Sequence, residues 1–511
     1  MINFFLVSIL FFGITTLQAQ ETPPLQYPFE EPGSSPRGVF GEDGRKEIKD
    51  AEGFEDFARA TAVMIPKEEI KGNRIYGYSL RELLAHQFDT EKFNDNVKFL
   101  DQPTAASCTG FLIAPDLLVT AGHCIKTIED AANWVWLFDY TNDLSYNEED
   151  RYVEVNKNNL YEVSEVLVGE LNDDEDDKSL DYSVLKLDRK SDRRPYRFRT
   201  SGVVAEGSDI YTIGAPTGLP LKLSTESTVV DNTATSWFKS DIDAFPGNSG
   251  GPVFDSNGFI EGILVRGAVE YSNGNYTGDY KYDQACDCVK TVTFQEVDYT
   301  AGCQAHKITY LPEEIVQRAI YDNIAYSIKI NNTDRYEDWS VYSWMFTSNY
   351  AKERGRLEDV AIHNNNYQVL ENLLVKYGED YSDDYVRTLL EGAIDSQNTQ
   401  LLDILLTNEL DPDAGYTSSL RLIQKAVKDN NVLFAQRLIN SGAQVTIKDI
   451  YGNTLLHDAA GNGNTEVVKM LLAKNVSAKS KNNAGYYPEK VAKKAGYKML
   501  AKTLKEVRKE L

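Results

Sequence analysis

The feature that most restricts the possible folds is a serine in a glycine-rich turn, Gly-Asn-Ser-Gly-Gly-Pro at residues 247–252. Glycines allow positive φ angles and let the backbone approach a bound ligand closely. The amides of Gly247 and Ser249 can therefore point at one position, as an oxyanion hole requires. A serine hydroxyl is a weak nucleophile until a base accepts its proton and a third group orients that base. The turn thus predicts a histidine and a carboxylate elsewhere in the chain.

Both partners occur in suitable contexts before the serine. His123 lies in Thr-Ala-Gly-His-Cys, and Asp181 begins the alternating segment Asp-Tyr-Ser-Val-Leu-Lys-Leu. In the order His, Asp, Ser, the three segments resemble those of the trypsin-like (chymotrypsin-fold) serine peptidases, whereas subtilisins and α/β-hydrolases use other orders. The resemblance implies an all-β domain of two six-stranded barrels. It also implies that Ser249 attacks the scissile carbonyl, His123 transfers the proton and Asp181 orients His123.

The N-terminus has the pattern of an export signal. Residues 4–17 are apolar but too few to span a bilayer, and Leu-Gln-Ala at 17–19 resembles a cleavage site for signal peptidase. Because Lys and Arg are missing from the first residues, an uncleaved anchor is the alternative. We expect a secreted or periplasmic protein with no membrane span after cleavage. The formal net charge of −25 argues against nucleic-acid binding.

One cysteine pair is explained by the resemblance. Cys108 and Cys124 match a disulfide characteristic of the family, which would hold the loop that carries the histidine. Four further residues have metal-ligand spacing: Cys286, Cys288, Cys303 and His306. They fit a zinc site or, as we favour in an oxidising compartment, one disulfide plus one further thiol. The acidic run at 173–177 lacks EF-hand spacing and is interpreted as a solvated loop rather than a calcium site. We predict no metal and no cofactor.

The resemblance also assigns residues to the pocket for the P1 side chain. Asp243 would lie at its base, and Val265 and Gly267 would form a wall. A carboxylate at the base favours Lys or Arg at P1. Two alternatives stay open. The pocket is broad if Asp243 bonds within its own loop, and glutamyl specificity is suggested because residues 38–48 resemble bacterial glutamyl endopeptidases. Asn248 replaces the Asp that pairs with a freed N-terminal ammonium in digestive members, so the site is expected to be preformed.

A repeat occupies the C-terminal part of the chain. Alanines recur about every 33 residues, and leucine-rich pairs recur in step with them. These alanines are Ala361, Ala393, Ala426, Ala459 and Ala492. The period and the pattern of two short helices per unit resemble ankyrin repeats, which form an all-α solenoid with a groove for a protein partner.

The length of 511 residues indicates several domains. The predicted segments are a signal peptide at 1–19, a propeptide or linker at 20–37, a trypsin-like peptidase domain at 38–310, a connector at 311–356 and ankyrin repeats at 357–511. Two functions compete. The first is a serine endopeptidase that cleaves proteins or peptides and uses the repeats for a partner or for regulation. The second is a binding protein whose peptidase domain is inactive or processes only itself. The three matching segments favour the endopeptidase.

Overall fold

The computed structural model describes residues 43–172, 177–267, 271–272, 275–276, 279–293, 303–346, 350, 354–377, 381–414 and 421–510. The predicted signal peptide, the predicted propeptide and residues 173–176 of the acidic run lie outside these residues. The chain forms two compact units. The first comprises the chain up to Asn323 together with Glu337–Met345, and the second comprises Ile324–Tyr336 and the chain from Phe346 onward. The segment expected to be a connector, 311–356, is therefore divided between the two units.

An antiparallel sheet of seven strands begins the first unit. In spatial order its strands are Leu160–Tyr161, Trp134–Phe138, Thr61–Pro66, Cys108–Ala114, Leu117–Thr120, Leu180–Leu187 and Val163–Asn172. The central strand Cys108–Ala114 is buried along its whole length, as its continuous apolar run predicts. It forms a hairpin with Leu117–Thr120, in which Phe111 lies opposite Val119. The hairpin predicted for this segment is thus present, and it leads directly into the loop that carries His123.

The second sheet closes into a barrel of six strands. In order around the barrel these are Lys222–Asp231, Asp209–Gly214, Pro252–Asp255, Ile260–Arg266, Cys303–Lys307 and Trp237–Ser240, which pairs again with the first. A short strand, Arg45–Glu47, adds to the outside of Lys222–Asp231. The barrel interior is filled by apolar side chains such as Phe238, Val253 and Leu264. Two consecutive antiparallel sheets confirm the predicted double-barrel fold class, although the first sheet remains open in the residues described.

Smaller elements surround the two sheets. The short strands are Ile70–Lys71, Arg74–Tyr76, Tyr146–Asn147, Tyr152–Glu154, Tyr271–Ser272, Asn275–Tyr276, Tyr280–Asp283 and Cys288–Thr291. The helices before the repeats are Phe54–Ala58, Leu80–Phe88, Ile128–Ala131, Glu313–Lys329 and Thr333–Ser340. Helix Leu80–Phe88 begins at a capping box, in which the side chains of Ser79 and Glu82 each accept a hydrogen bond from the backbone amide of the other residue. This cap fixes the start of a helix that packs in the same apolar cluster as Phe245, close in sequence to the serine turn.

Ten helices of the second unit follow in the described residues. They are Leu357–His363, Tyr367–Tyr377, Asp383–Asp395, Thr399–Thr407, Leu422–Lys428, Val432–Asn440, Leu455–Gly461, Thr465–Ala473, Pro488–Lys494 and Lys498–Glu510. Asn398, Asn431 and Asn464 each cap the second helix of a pair by accepting a hydrogen bond from the amide of the third residue that follows. Their regular recurrence confirms the predicted helical repeat. No helix in the described part of the chain is both long and apolar enough to cross a lipid bilayer.

Candidate active site

The site begins with a histidine and an aspartate that two paired strands bring together. Ser183 of strand Leu180–Leu187 lies opposite Thr120, so the segment after Thr120 reaches the beginning of the partner strand. There the backbone amide of His123 donates to Oδ1 of Asp181 at 3.0 Å, and Nδ1 of His123 lies 2.8 Å from Oδ2. Asp181 is buried, whereas His123 is partly exposed. The carboxylate therefore fixes both the loop and the ring, and it leaves Nε2 to act as a base.

The serine turn packs against the loop that carries the histidine. The carbonyl of Ser249 accepts a hydrogen bond from the amide of Thr109 at 2.8 Å. Cys124, which follows His123, places its sulfur 3.8 Å from the same carbonyl oxygen. Gly250 allows this approach, because a Cβ there would lie 2.2 Å from the carbonyl oxygen of Thr109. The structure thus brings the turn of Ser249 beside His123 and Asp181.

A disulfide holds this arrangement in place. Cys108 is bonded to Cys124, as the family resemblance implied. Cys108 begins a central strand of the first sheet, and Cys124 lies in the loop after Thr120. The bond therefore fixes the loop of the candidate base to a fully buried strand of the sheet.

The two amides predicted to form an oxyanion hole have fixed directions. The carbonyl of Pro246 accepts from the amide of Thr217 at 2.6 Å, and the carbonyl of Asn248 accepts from Gly251 at 2.8 Å. Because a peptide N–H points away from its carbonyl, these bonds set the directions of the amides of Gly247 and Ser249. No described residue accepts a hydrogen bond from either amide. Two donors on one turn are therefore held ready for an oxyanion.

Only glycine fits at position 247. Its φ is +99°, and a Cβ there would lie 2.2 Å from the carbonyl oxygen of Ala215. Asn248, the residue before the serine, is buried, with its side chain against Gly214. The turn has this conformation without a charged side chain at position 248, as the sequence led us to expect.

Asp243 lies six residues before Ser249 in the loop that leads into the serine turn. It is 1% exposed, and its Oδ2 accepts from the amide of Gly44 at 2.9 Å. No described residue hydrogen-bonds its Oδ1. Burial, together with the negative charge of Asp43, raises the pKa of Asp243 to about 7. The bond to Gly44 was not among the sequence-based alternatives, which considered a bond within the loop of Asp243 itself.

The wall residues predicted for the pocket lie on strand Ile260–Arg266 and directly after it. Val265 is buried, and the Cα of Gly267 comes so close to the loop that a Cβ there would lie 3.2 Å from the carbonyl oxygen of Ala244. Since Ala244 follows Asp243, the predicted wall and the predicted base are adjacent. Their role in substrate binding stays a prediction.

Two parts of the chain match models of known protein families. Residues 108–263, which include all three candidate catalytic residues, match the family model described as a trypsin-like peptidase domain. The chain contains a trypsin-like peptidase domain. Residues 390–483 and 422–509 match the model of ankyrin repeats. The order predicted from the sequence, a peptidase domain followed by ankyrin repeats, is confirmed.

Similar proteins were found for parts of the chain. An ankyrin repeat protein of fowlpox virus (strain NVSL) is 28% identical over 130 residues, which is 25% of this chain and 29% of that protein. A second ankyrin repeat protein of this virus is 37% identical over 54 residues, or 11% of this chain and 8% of that protein. The chain thus spans less than a third of the length of either relative. A solved structure of a Glu endopeptidase in complex with MPD covers 55% of this chain and 98% of its own, with 18% identity and a TM-score of 0.31.

An apolar cluster next to the serine turn of the peptidase domain was not foreseen from the sequence. We call it the bracing cluster. Its buried members are Leu80, Leu84, Val97, Leu219, Phe245, Tyr280 and Val289. Phe245 lies between Asp243 and Ser249, and its ring centroid is 5.8 Å from that of Tyr280. The guanidinium of Arg45 lies 3.8 Å from the centroid of the Phe245 ring. Three segments distant in sequence therefore support the loop between the pocket base and the serine.

One local signal pointed to this cluster. The Ser79–Glu82 capping box precedes apolar residues with helical spacing, among them Leu80 and Leu84, which indicates an amphipathic helix. What the pattern cannot indicate is the surface on which that helix packs.

The zinc alternative does not fit the structure. Cys286 and Cys288 are bonded to each other, so neither sulfur is available as a thiolate ligand. Cys303 is a buried thiol whose Sγ lies 3.0 Å from the carbonyl oxygen of Ile242. In the part of the chain that the structure describes, atoms of metal-ligating type come together at Cys108, His123 and Cys124, and two of these three residues form a disulfide.

Proposed function

We propose that the protein is a secreted or periplasmic serine endopeptidase that hydrolyses peptide bonds through Ser249, His123 and Asp181. Ser249 Oγ attacks the carbonyl while Nε2 of His123 accepts its proton and later delivers that proton to the leaving amine. Asp181 accepts the Nδ1–H and stabilises the imidazolium. The amides of Gly247 and Ser249 donate to the oxyanion. The observation that carries the proposal is the pair of bonds from His123 to Asp181, made beside a serine turn with two fixed amides.

Labelling with an organophosphonate probe tests the proposal. The probe should label the wild type and fail to label Ser249→Ala, in which kcat for peptide hydrolysis should fall ~10⁴–10⁶-fold. Ser256→Ala is the matched control, since Ser256 is exposed in the next turn of the same barrel. A wild type that resists the probe would support the alternative of a binding protein with an inactive peptidase domain.

Asp243 supports a preference for Lys or Arg at P1. Asp43 and Arg45 form a buried ion pair, so the ionised Asp243 leaves a net negative charge at the predicted base of the pocket. Because the pKa of Asp243 is raised to about 7, this charge develops as the pH rises through that value. The ratio of kcat/KM for Lys over Leu at P1 should therefore increase between pH 6 and pH 8.

A library of P1-varied peptides measures this preference. Asp243→Asn should make the ratio low and independent of pH, whereas Asp241→Asn, a change two residues away, should keep a ratio that increases with pH, with its midpoint at lower pH because Asp241 helps to raise the pKa of Asp243. A preference of the wild type for Glu would contradict the role given to Asp243 and favour the glutamyl alternative.

The repeats are proposed to bind a protein partner. At the tip of the turn 449–453, Ile450 is 83% exposed and Tyr451 is 65% exposed, so two adjacent large apolar side chains lie in solvent, and contiguous exposed apolar patches mark interaction sites. A photo-crosslinking residue at position 451 should capture a defined protein from the extracellular fraction. The same residue at Met499, which is also exposed, is the control.

Sequencing the N-terminus of the mature protein tests export, with a first residue at or after Gln20 expected.

A further inference from the structure

The hairpin that supplies Tyr280 and Val289 to the bracing cluster carries a disulfide of unusual spacing. Its strands, Tyr280–Asp283 and Cys288–Thr291, are joined by a four-residue turn, and Cys286 is bonded to Cys288. In the chain-entropy account, a disulfide stabilises a fold more when it closes a longer loop. The sequence separation here is 2, whereas it is 16 for the other disulfide. Stabilisation of the fold therefore does not explain this bond.

Other contacts hold the hairpin without the disulfide. Lys290 forms an ion pair with Asp283 across the two strands, and Lys92 forms one with Asp287 in the turn. Asp283 also lies opposite Cys288 in the backbone ladder. We therefore expect the hairpin to stay closed, and the domain folded, when the disulfide opens.

The two cysteine residues differ in exposure. Cys286 is exposed, whereas Cys288 is only 6% exposed. A small thiol in solution therefore reaches Cys286, and Cys288 is the leaving group. The ammonium groups of Lys92 and Lys290 compensate the adjacent carboxylates, so the departing thiolate does not form beside uncompensated negative charge. Exposed disulfides are the ones that exchange with thiols.

We propose that Cys286 and Cys288 form a thiol–disulfide exchange site for small thiols and dithiols. A thiolate of a dithiol attacks Sγ of Cys286, the bond to Cys288 breaks, and Cys288 leaves as a thiolate that takes up a proton. The second thiolate of the reagent then attacks its own sulfur in the mixed disulfide and releases Cys286. The dithiol is oxidised by two electrons to a cyclic disulfide, and the protein gains two thiols. Oxidised glutathione re-forms the protein disulfide and is itself reduced to two molecules of glutathione.

Differential alkylation of the full folded chain tests the site. The protein is equilibrated with increasing dithiothreitol, alkylated with N-ethylmaleimide and analysed by peptide mass spectrometry, with circular dichroism recorded in parallel. Cys286 and Cys288 should be alkylated at a reductant concentration at least about tenfold below that required for Cys108 and Cys124, with unchanged circular dichroism. Oxidised glutathione should restore the bond. The proposal is overturned if both disulfides open together, or if alkylation at 286 and 288 accompanies loss of structure.

Single-cysteine variants test the route of attack. In Cys288→Ser the remaining Cys286 should form a mixed disulfide with oxidised glutathione at least about tenfold faster than Cys288 does in Cys286→Ser. Equal rates would contradict the assigned direction. Cys303→Ser is the control for internal exchange and should leave the midpoint of the wild-type titration unchanged. A midpoint that moves to that of Cys108 and Cys124 would assign the alkylation to exchange with Cys303 and overturn the proposal.

Discussion

At the scale of single residues, the role of Asp181 depends on the use of both its oxygens. One oxygen holds the amide of His123 and the other holds its ring. An asparagine places an NH₂ group against one of these donors and therefore disturbs the loop or the tautomer of His123. Asp181→Asn should lower kcat ~10⁴-fold with a small change in KM. Steady-state kinetics measure this, with Asp188→Asn, just beyond the end of the same strand, as the control. Equal kinetics of the two variants would remove Asp181 from the proposed mechanism.

His306 makes the stability of the peptidase domain depend on pH. Its ring is buried between Tyr182 and Tyr310, and burial lowers its pKa to about 4, against the opposing effect of Asp181. Between pH 6.5 and about 4 the unfolded chain binds a proton here and the folded chain does not, so the free energy of unfolding falls as the pH falls. From pH 8 to pH 5 this loss amounts to about 2 kcal/mol.

Replacing the imidazole removes that loss. His306→Phe should reduce the decrease in unfolding free energy between pH 8 and pH 5 by about 2 kcal/mol, as measured by urea denaturation at each pH. His86→Gln, at an exposed position, should leave the decrease unchanged. If His306→Phe retains the full decrease of the wild type, other groups determine the loss at acid pH.

The residues of the candidate site differ in how far the sequence predicts them. Ser249, His123 and Asp181 each lie in a short segment that is recognisable from its own residues. The order of these three segments along the chain is enough to predict that the three side chains form one site. The environment of Asp243 does not follow from its neighbours, because its hydrogen-bond partner Gly44 is 199 residues away in sequence. Contacts of that range depend on the assembled barrel.

Among the elements, helix Leu80–Phe88 offers the clearest test of the bracing cluster. Leu84 is 1% exposed and belongs to the bracing cluster, whereas the adjacent Leu83 is 37% exposed. Leu84→Ala should lower the unfolding free energy of the peptidase domain by about 3 kcal/mol and also lower kcat/KM, because the cavity opens in the cluster that contains Phe245. Leu83→Ala should change stability by less than about 0.5 kcal/mol. Denaturant titration and peptide hydrolysis give both quantities, and similar losses in the two variants would contradict the bracing role.

The hairpin and repeat elements were predictable, and the connections between distant elements were not. The apolar runs before His123 predict strands, and the regular spacing of the alanines predicts the helical repeat, because both patterns are visible within short stretches of sequence. Strand Arg45–Glu47 has only three residues, and it is defined by its pairing with Lys222–Ser224. No pattern within so short a segment specifies that pairing.

At the scale of the whole molecule, the division into two units predicts where the chain can be cut. Asn323 donates to the carbonyl of Ile113 at 2.7 Å, and the buried Trp339 packs on Phe198 at 5.8 Å between ring centroids. A chain that ends after Phe346 should keep peptide hydrolysis and the Tm of the peptidase domain. A chain that ends after Tyr310 loses both contacts, and its Tm should fall by about 10 °C. Scanning calorimetry compares the two, and equal Tm values would place the boundary at 310.

The bracing cluster also has a consequence for the order in which the chain is made. Every proposed catalytic residue is translated before Tyr280 and Val289, the last members of the cluster. Until that hairpin emerges, Phe245 lacks one side of its packing, and the loop from the pocket base to Ser249 is incompletely supported. A nascent chain therefore contains all the proposed catalytic groups before it can hold them in working order, so we expect the proposed activity to begin only when synthesis of the domain is almost complete.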